Sequence, residues 1–127
     1  MDATVIRHND VRTTTTATGV MTTLASPTVG GSAALSLWRV AIPAGSVGPV
    51  HAFDSEQIWT LLAGTATFTV ADRSYPLAAG DTIRLAAGVS RQVRAESDVE
   101  FVVCGYGAAV VSAPGNPASG TTPPWIA

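Results

Sequence analysis

The sequence predicts an all-β protein with a single hydrophobic core, built as a sandwich or barrel of short strands. Its 127 residues are enough for one domain. Hydrophobic residues make up 46% of the chain and charged residues 13%, which favours a folded core over disorder. No segment keeps a helical period over three turns without Gly, Pro or β-branched residues, whereas short runs rich in Val, Thr and Ile recur between Gly and Pro.

The clearest strand is predicted for residues 35–42. Trp38, Val40 and Ile42 alternate there with the side chains of the opposite face. Pro43 ends the ladder, because proline has no N–H to donate. This segment is therefore expected to place one face in the core.

A hairpin is predicted next along the chain. Residues 57–62 form its first strand, and residues 65–71 alternate between apolar side chains and Thr, with Ala63 and Gly64 as the connection. Further strands are predicted at residues 82–85, 92–94 and 99–104. Cys104 is the single cysteine, so the chain cannot form an internal disulfide. We expect its side chain to be buried in the last of these strands.

The two ends of the chain differ from this middle. We divide the chain into an N-terminal arm and edge strand at 1–30, a barrel at 31–113 and a Pro/Gly-rich tail at 114–127. Four Thr residues at 13–16 favour extended backbone, as an edge strand or as a frayed arm. Trp125 in the tail is expected to dock into an apolar groove of its own barrel or of a partner subunit, or else to belong to a disordered end.

The charge distribution and the short apolar runs argue against nucleic-acid and membrane partners. The net charge is −2 and no basic run could follow a phosphate backbone, so no nucleic acid is expected. No apolar stretch is long enough for a bilayer and the first residues do not resemble a secretory leader. We therefore expect no membrane partner and a cytoplasmic location. The Ala- and Thr-rich composition, with all seven basic residues Arg, resembles that of bacteria with GC-rich genomes.

Two motifs carry the functional information. The first runs Gly45, five residues, His51, one residue, Phe53, three residues, Gln57, six residues, Gly64. The second follows after fifteen intervening residues and runs Gly80, five residues, Ala86-Ala87-Gly88, two residues, Arg91.

This paired spacing resembles that of the cupin superfamily. Its first motif is Gly, five residues, His-x-His, three or four residues, Glu, six residues, Gly, and its second is Gly, five residues, Pro-x-Gly, two residues, His. The resemblance spans residues 45 to about 95 and matches the spacing at every step. It implies an all-β double-stranded β-helix, the jelly-roll barrel, and a homodimer.

The resemblance also implies a divalent metal, held by the two His, the Glu and the His of the second motif. Here His51 alone keeps its residue type, and Phe53, Gln57 and Arg91 stand at the other three positions. Phe offers no lone pair, and the cationic Arg repels a metal ion. We therefore expect no metal and no other cofactor.

The resemblance further implies that these four positions lie on the inner face of the barrel, near its open mouth. We interpret His51 as a proton shuttle, Arg91 as an anion clamp and Gln57 as a group that orients the substrate. The nearby guanidinium is expected to lower the pKa of His51. Strand alternation places Trp59 and Leu61 on the same face as Gln57, and Phe53 adds another ring, so these three residues are expected to form an apolar substrate-binding wall.

The first hypothesis is a metal-independent enzyme of isomerase, epimerase, dehydratase or cyclase type. It would act by proton transfer on a small carbonyl, phenolic or carboxylate substrate. The alternatives are a cupin that binds a small ligand without catalysis and a metal-dependent dioxygenase with atypical ligands. For single residues, Arg91 could instead form an internal salt bridge with Glu56 or Asp54, and His51 could merely hydrogen-bond a main-chain carbonyl.

Overall fold

The computed structural model describes residues 2–127, which form two facing β-layers and a short 3₁₀ helix at His8–Asp10. No helix in that range is long and apolar enough to cross a bilayer. The strands of the described residues, numbered in chain order, are β1 Arg12–Thr15, β2 Val20–Ala25, β3 Leu35–Ile42, β4 Ala52–Phe53, β5 Gln57–Ala63, β6 Thr65–Val70, β7 Arg73–Ala78, β8 Thr82–Leu85, β9 Arg91–Ala95, β10 Val99–Tyr106 and β11 Val111–Ser112.

The strands pair antiparallel in two layers. One layer is a six-stranded sheet in the order β1-β2-β3-β10-β5-β8, and the other contains the three-stranded sheet β7-β6-β9. The short pair β4-β11 extends the second layer, because the main chains of His51 and Arg91 exchange two hydrogen bonds there. The predicted all-β jelly-roll class is confirmed.

The core lies between the layers and follows strand alternation. On β3 every second side chain, beginning with Ser36, is buried. At the centre the rings of Trp59, Phe68 and Phe101 meet edge to face, with centroids 5.2 to 5.8 Å apart. Each pair adds roughly 0.5–1.5 kcal/mol beyond its buried area. This cluster supports the inner end of β5, where the predicted site begins.

The Thr-rich segment forms the edge strand β1, one of the two conformations expected for it, and pairs with β2. Strands β2, β4, β7 and β11 were not predicted from the sequence. β2 was not predicted because Thr and apolar residues do not alternate along it. β7 contains Pro76, which a central strand would exclude, but β7 is an edge strand that pairs with β6 alone.

The outer face of the six-stranded sheet is partly apolar. The expectation that Cys104 is buried is wrong, since alternation along β10 turns Phe101 and Val103 inward and leaves Cys104 exposed. Leu37 and Ile58, its two cross-strand neighbours, are exposed as well. The homodimer implied by the family resemblance stays a prediction.

The tail at 114–127 packs against its own barrel. Ile126 anchors it with 0% of its surface exposed, whereas Trp125 is half-buried. Main-chain oxygens of residues 124–127 accept hydrogen bonds from side chains of the N-terminal third of the chain, namely Arg12, Thr23, Ser26, Thr28 and Ser36. The tail thus closes the edge of the core beside β1, β2 and β3.

Replacing Ile126 with alanine is expected to lower the free energy of unfolding by about 2–5 kcal/mol, because its side chain is fully buried. Chemical denaturation followed by circular dichroism measures the loss. Leu62→Ala is the matched control, since Leu62 is 49% exposed and its truncation should cost less than about 1 kcal/mol. Equal losses in the two variants would contradict a docked tail.

Candidate functional site

The two sequence motifs meet at one end of the barrel. Gln57 begins β5 in the six-stranded sheet, and Arg91 begins β9 in the opposite layer. His51 lies beside Arg91, because their main chains exchange hydrogen bonds of 3.0 and 2.9 Å. Phe53 follows in β4. Strand pairing therefore brings the four motif positions together.

A hydrogen bond between Arg91 and Gln57 joins the two layers. Arg91 Nη2 donates to Gln57 Oε1 over 2.7 Å, and Trp59 Nε1 donates to the same oxygen over 3.1 Å. Two donors on one oxygen determine the orientation of the amide. Gln57 therefore presents its oxygen to Arg91 and keeps Nε2 as a donor.

Arg91 is a buried cation without a carboxylate partner. The residue is 3% exposed, and its Cζ lies 4.6 Å from the centroid of the Phe53 ring in a cation–π contact. Burial lowers the pKa of Arg91 to about 10, so the guanidinium is charged at neutral pH. No carboxylate within residues 2–127 forms a salt bridge with it.

The internal salt bridge considered for Arg91 is wrong. Glu56 pairs instead with Arg84 at 3.2 Å, where both side chains are exposed, because it is one step out of phase with the inward-facing Gln57. Asp54 accepts the main-chain N–H of Val110 at 2.8 Å. Both carboxylates are therefore engaged elsewhere.

Two buried polar atoms of this cluster have no partner in the described chain, Arg91 Nε and Gln57 Nε2. Both are hydrogen-bond donors. A buried donor without an acceptor costs about 1–3 kcal/mol. Acceptor oxygens of a bound ligand are the groups that would satisfy them.

His51 stands at the edge of the cluster and is half-buried. Its Nδ1 lies 2.8 Å from the carbonyl oxygen of Pro49, which a neutral ring satisfies by donating from Nδ1 and leaving Nε2 basic. Burial is the main reason that the pKa of His51 is lowered; the Pro49 hydrogen bond raises it, and repulsion from Arg91 lowers it. The direction matches the expectation, but Arg91 is the minor cause.

The three predicted wall residues lie at different depths. Phe53 covers the guanidinium, Trp59 is 9% exposed beside Gln57, and Leu61 is completely buried further along β5. Surface concavities of about 510 and 290 Å³ are lined by other residues. Gln57 and Arg91 are 1% and 3% exposed, so they do not line an open cavity in this structure, in contrast to the expectation from the sequence.

Gly105 is a site residue that the sequence analysis missed. A Cβ built on this residue of β10 would lie 3.2 Å from Gln57 Cγ and 3.3 Å from Trp38 Cη2. The missing side chain thus provides the room that the Gln57 side chain occupies. The signal was present, since a glycine inside a strand often marks the close approach of another group.

The donor set does not fit the divalent metal that the family motif implies. His51 Nδ1 is engaged by Pro49, and Gln57 Oε1 already accepts two hydrogen bonds. Arg91 places a cation at the fourth ligand position. Across residues 2–127, no three His, Cys, Asp or Glu side chains form a group that could hold a metal ion. The cluster suits an anion better than a cation.

Fold and site together define a jelly-roll barrel with a polar cluster in its interior. The sequence profile described as Cupin domain matches residues 38–105, more than half of the chain. The chain belongs to the cupin family. No curated protein matches it.

Solved structures share the fold. Salicylate 1,2-dioxygenase from Pseudoaminobacter salicylatoxidans, with gentisate adducts, has a TM-score of 0.72 at 15% identity, covering 83% of this chain and 31% of that one. Oxalate decarboxylase from Bacillus subtilis has a TM-score of 0.67 at 17% identity, and the match covers 77% of this chain and 27% of that one. A cupin 2 domain-containing protein from Halorhodospira halophila has a TM-score of 0.65 at 19% identity, and the match covers 68% of this chain and 63% of that one. At these identities the likeness shows the fold alone, and this chain spans about a third or less of each enzyme.

An NMR titration is expected to give His51 a midpoint below about 6.5, the ordinary value for histidine. The unfolded chain then takes up the proton first as the pH falls below about 6.5, so stability should decrease with falling pH in that window. Melting temperatures of wild type and His51→Gln, compared between about pH 7 and pH 5, should show a smaller loss in the variant. A midpoint above 7 would contradict the lowered pKa.

Proposed function

We propose that this cupin binds a small organic anion inside the barrel and transfers a proton on it without a metal. The proposal rests on the environment of Arg91. This residue is 3% exposed, and its guanidinium forms no salt bridge with a carboxylate of the described residues. A buried unpaired charge is costly to the fold. Such arrangements cluster where function uses the charge. A ligand anion would supply the missing counter-charge.

The free hydrogen-bonding groups narrow the ligand chemistry. Arg91 Nε and Gln57 Nε2 both donate, so the ligand needs acceptor oxygens, as in a carboxylate, enolate or phenolate. A planar guanidinium matches such oxygens well. The aromatic side chains of Phe53 and Trp59 favour a planar or aromatic acid. Salicylate and gentisate, named for one structural neighbour, have this chemistry and serve as probes.

His51 is the group that would exchange the proton. Its lowered pKa favours the neutral ring near pH 7, and the contact with Pro49 leaves Nε2 as the base. Nε2 would take a proton from a carbon next to a carbonyl, and the electron pair would move onto the carbonyl oxygen, whose charge Arg91 stabilises. Return of the proton to carbon completes an isomerisation or epimerisation, and its transfer to a departing hydroxide completes a dehydration. Attack of the enolate carbon on a second carbonyl of the substrate, with the proton passing from His51 to the new alkoxide oxygen, would give a cyclisation.

Binding without catalysis is the second candidate, and one observation favours it. Within the described chain, the side chain of His51 hydrogen-bonds the main chain of Pro49 and not Gln57 or Arg91. A histidine held in this way can serve structure alone. The dioxygenase alternative has only the shared fold in its favour, and the donor set does not fit it.

Arg91→Met is expected to abolish binding of salicylate and to leave the protein at least as stable as the wild type. Methionine retains an unbranched apolar stem and removes a buried charge that has no partner. Calorimetric titration measures the binding, and urea denaturation measures the stability. A purely structural Arg91 would behave differently, because loss of its charged hydrogen bond to Gln57 would lower the free energy of unfolding by about 1.5–3 kcal/mol.

Gln57→Glu is the matched control for this experiment. It puts a carboxylate where Oε1 lies 2.7 Å from Arg91 Nη2, so an internal ion pair should weaken anion binding at least about tenfold. Undiminished salicylate affinity in both variants would overturn the proposed site. So would a wild type that binds neither salicylate, gentisate nor a small 2-oxo acid.

His51→Ala separates an enzyme from a binder. In an enzyme, the rate should fall about 10²–10⁴-fold while anion affinity changes little, because Arg91 and Gln57 hold the ligand. Deuterium incorporation from D₂O next to the carbonyl of 2-oxobutanoate, followed by NMR, measures proton transfer directly. A wild type that binds this acid without exchanging its protons above the solvent rate supports the non-catalytic alternative.

A further inference from the structure

A ligand that reaches the proposed anion site must pass a segment that opens. Gln57 and Arg91 are 1% and 3% exposed, so solvent scarcely touches either residue. The opening segment should lie beside these residues and should be held without extensive strand pairing.

The six-stranded sheet leads from the site to the tail. Its register places Gly105 of β10 beside Gln57 of β5, and Ser36 of β3 beside Gly105. Adjacent strands lie about 4.8 Å apart, so Ser36 is about 10 Å from Gln57. Ser36 Oγ donates a hydrogen bond to the carbonyl oxygen of Ile126. The tail therefore meets this layer two strands away from Gln57.

The opposite layer also contacts the tail. Arg91 pairs with His51, which precedes β4, and Phe53 of β4 pairs with Val111 of β11. Val111 exchanges main-chain hydrogen bonds with residues 120–121. Residues 120–127 therefore connect the edges of both layers next to the site.

The last residues of this segment are held by side chains rather than by a strand ladder. Arg12 Nη2 donates to the carbonyl oxygens of Pro124 and Ala127 at 2.5 and 2.6 Å. The remaining hydrogen bonds come from hydroxyl groups, those of Thr23, Ser26, Thr28 and Ser36. Release of residues 122–127 would break no strand pairing in either layer, although it would withdraw the buried Ile126 side chain from the core.

We infer that residues 122–127 form a strap that controls access to Arg91, and that Arg12 is its latch. The inference rests on the proposed function for the class of ligand admitted. Movement of the strap itself can be measured without a ligand, so the two proposals can fail separately.

Labelling with phenylglyoxal, a neutral dicarbonyl that modifies arginine, measures access to Arg91 when peptides are mapped by mass spectrometry. Arg12→Gln removes the latch without touching the site and should speed Arg91 labelling about tenfold, since lost hydrogen bonds from a charged donor shift a local opening equilibrium by roughly that factor. Arg39→Gln is the matched control, because Arg39 pairs with Glu100 on the outer face, and it should leave the Arg91 rate unchanged. The exposed Arg84 is the internal reference.

Hydrogen–deuterium exchange separates strap release from global unfolding. In Arg12→Gln the amides of Ile126 and Ala127, which donate to the Pro123 carbonyl, should exchange faster while amides of β10 keep wild-type rates. Faster strap exchange with unchanged Arg91 labelling would overturn the strap as a gate. Unchanged strap exchange would overturn Arg12 as the latch.

A milder variant covers the case in which Arg12→Gln also speeds exchange in β10. Thr28→Ala removes an exposed hydroxyl that donates to the main-chain oxygen of Ala127 and accepts from Arg12 Nη1. We expect the same changes in labelling and exchange as in Arg12→Gln, but smaller ones. Strap-dependent labelling of Arg91, combined with no binding of salicylate or gentisate, would retain the strap and overturn the proposed function.

Discussion

The positive charge of Arg91, held in an apolar interior, is the constraint around which the site is arranged. Its compensation comes from Gln57 Oε1 at 2.7 Å and from the Phe53 ring at 4.6 Å. An amide oxygen and a ring face carry only partial negative charge, so they offset the cost of burial incompletely. A carboxylate would offset it better, but it would also neutralise the guanidinium. The neutral surroundings keep the charge available to an anion.

The position of this cation depends on both layers of the barrel. The main-chain pairing of His51 with Arg91 connects β4 to β9. The hydrogen bond from Arg91 to Gln57 then connects β9 to the six-stranded sheet. Gln57 in turn relies on Trp59 for its amide orientation and on Gly105 for space. No local segment could hold the guanidinium in this way, which is why the site requires the packed fold.

Much of the fold and the location of the site could be predicted from the sequence, because strand alternation and motif spacing are local properties. They brought His51, Gln57 and Arg91 to one place, although the roles of these residues stay proposals. The anchoring of the tail by Ile126 could not be predicted, since hydroxyl groups that hold the neighbouring main chain come from residues about a hundred positions earlier. Cys104 was misplaced because β10 is apolar on both faces, which hides the alternation.

The combination of an amide at 57 and a guanidinium at 91 separates this site from the metal centre that the family motif implies. Glutamate at 57 would pair with Arg91 and cancel its charge, and histidine at 91 would leave no permanent cation. The observed pair instead leaves a fixed positive charge near the positions where the motif implies a metal ion. A metal ion and a guanidinium can both stabilise negative charge on an oxygen. In electrostatic terms, the altered motif replaces one cation with another rather than simply losing a metal site.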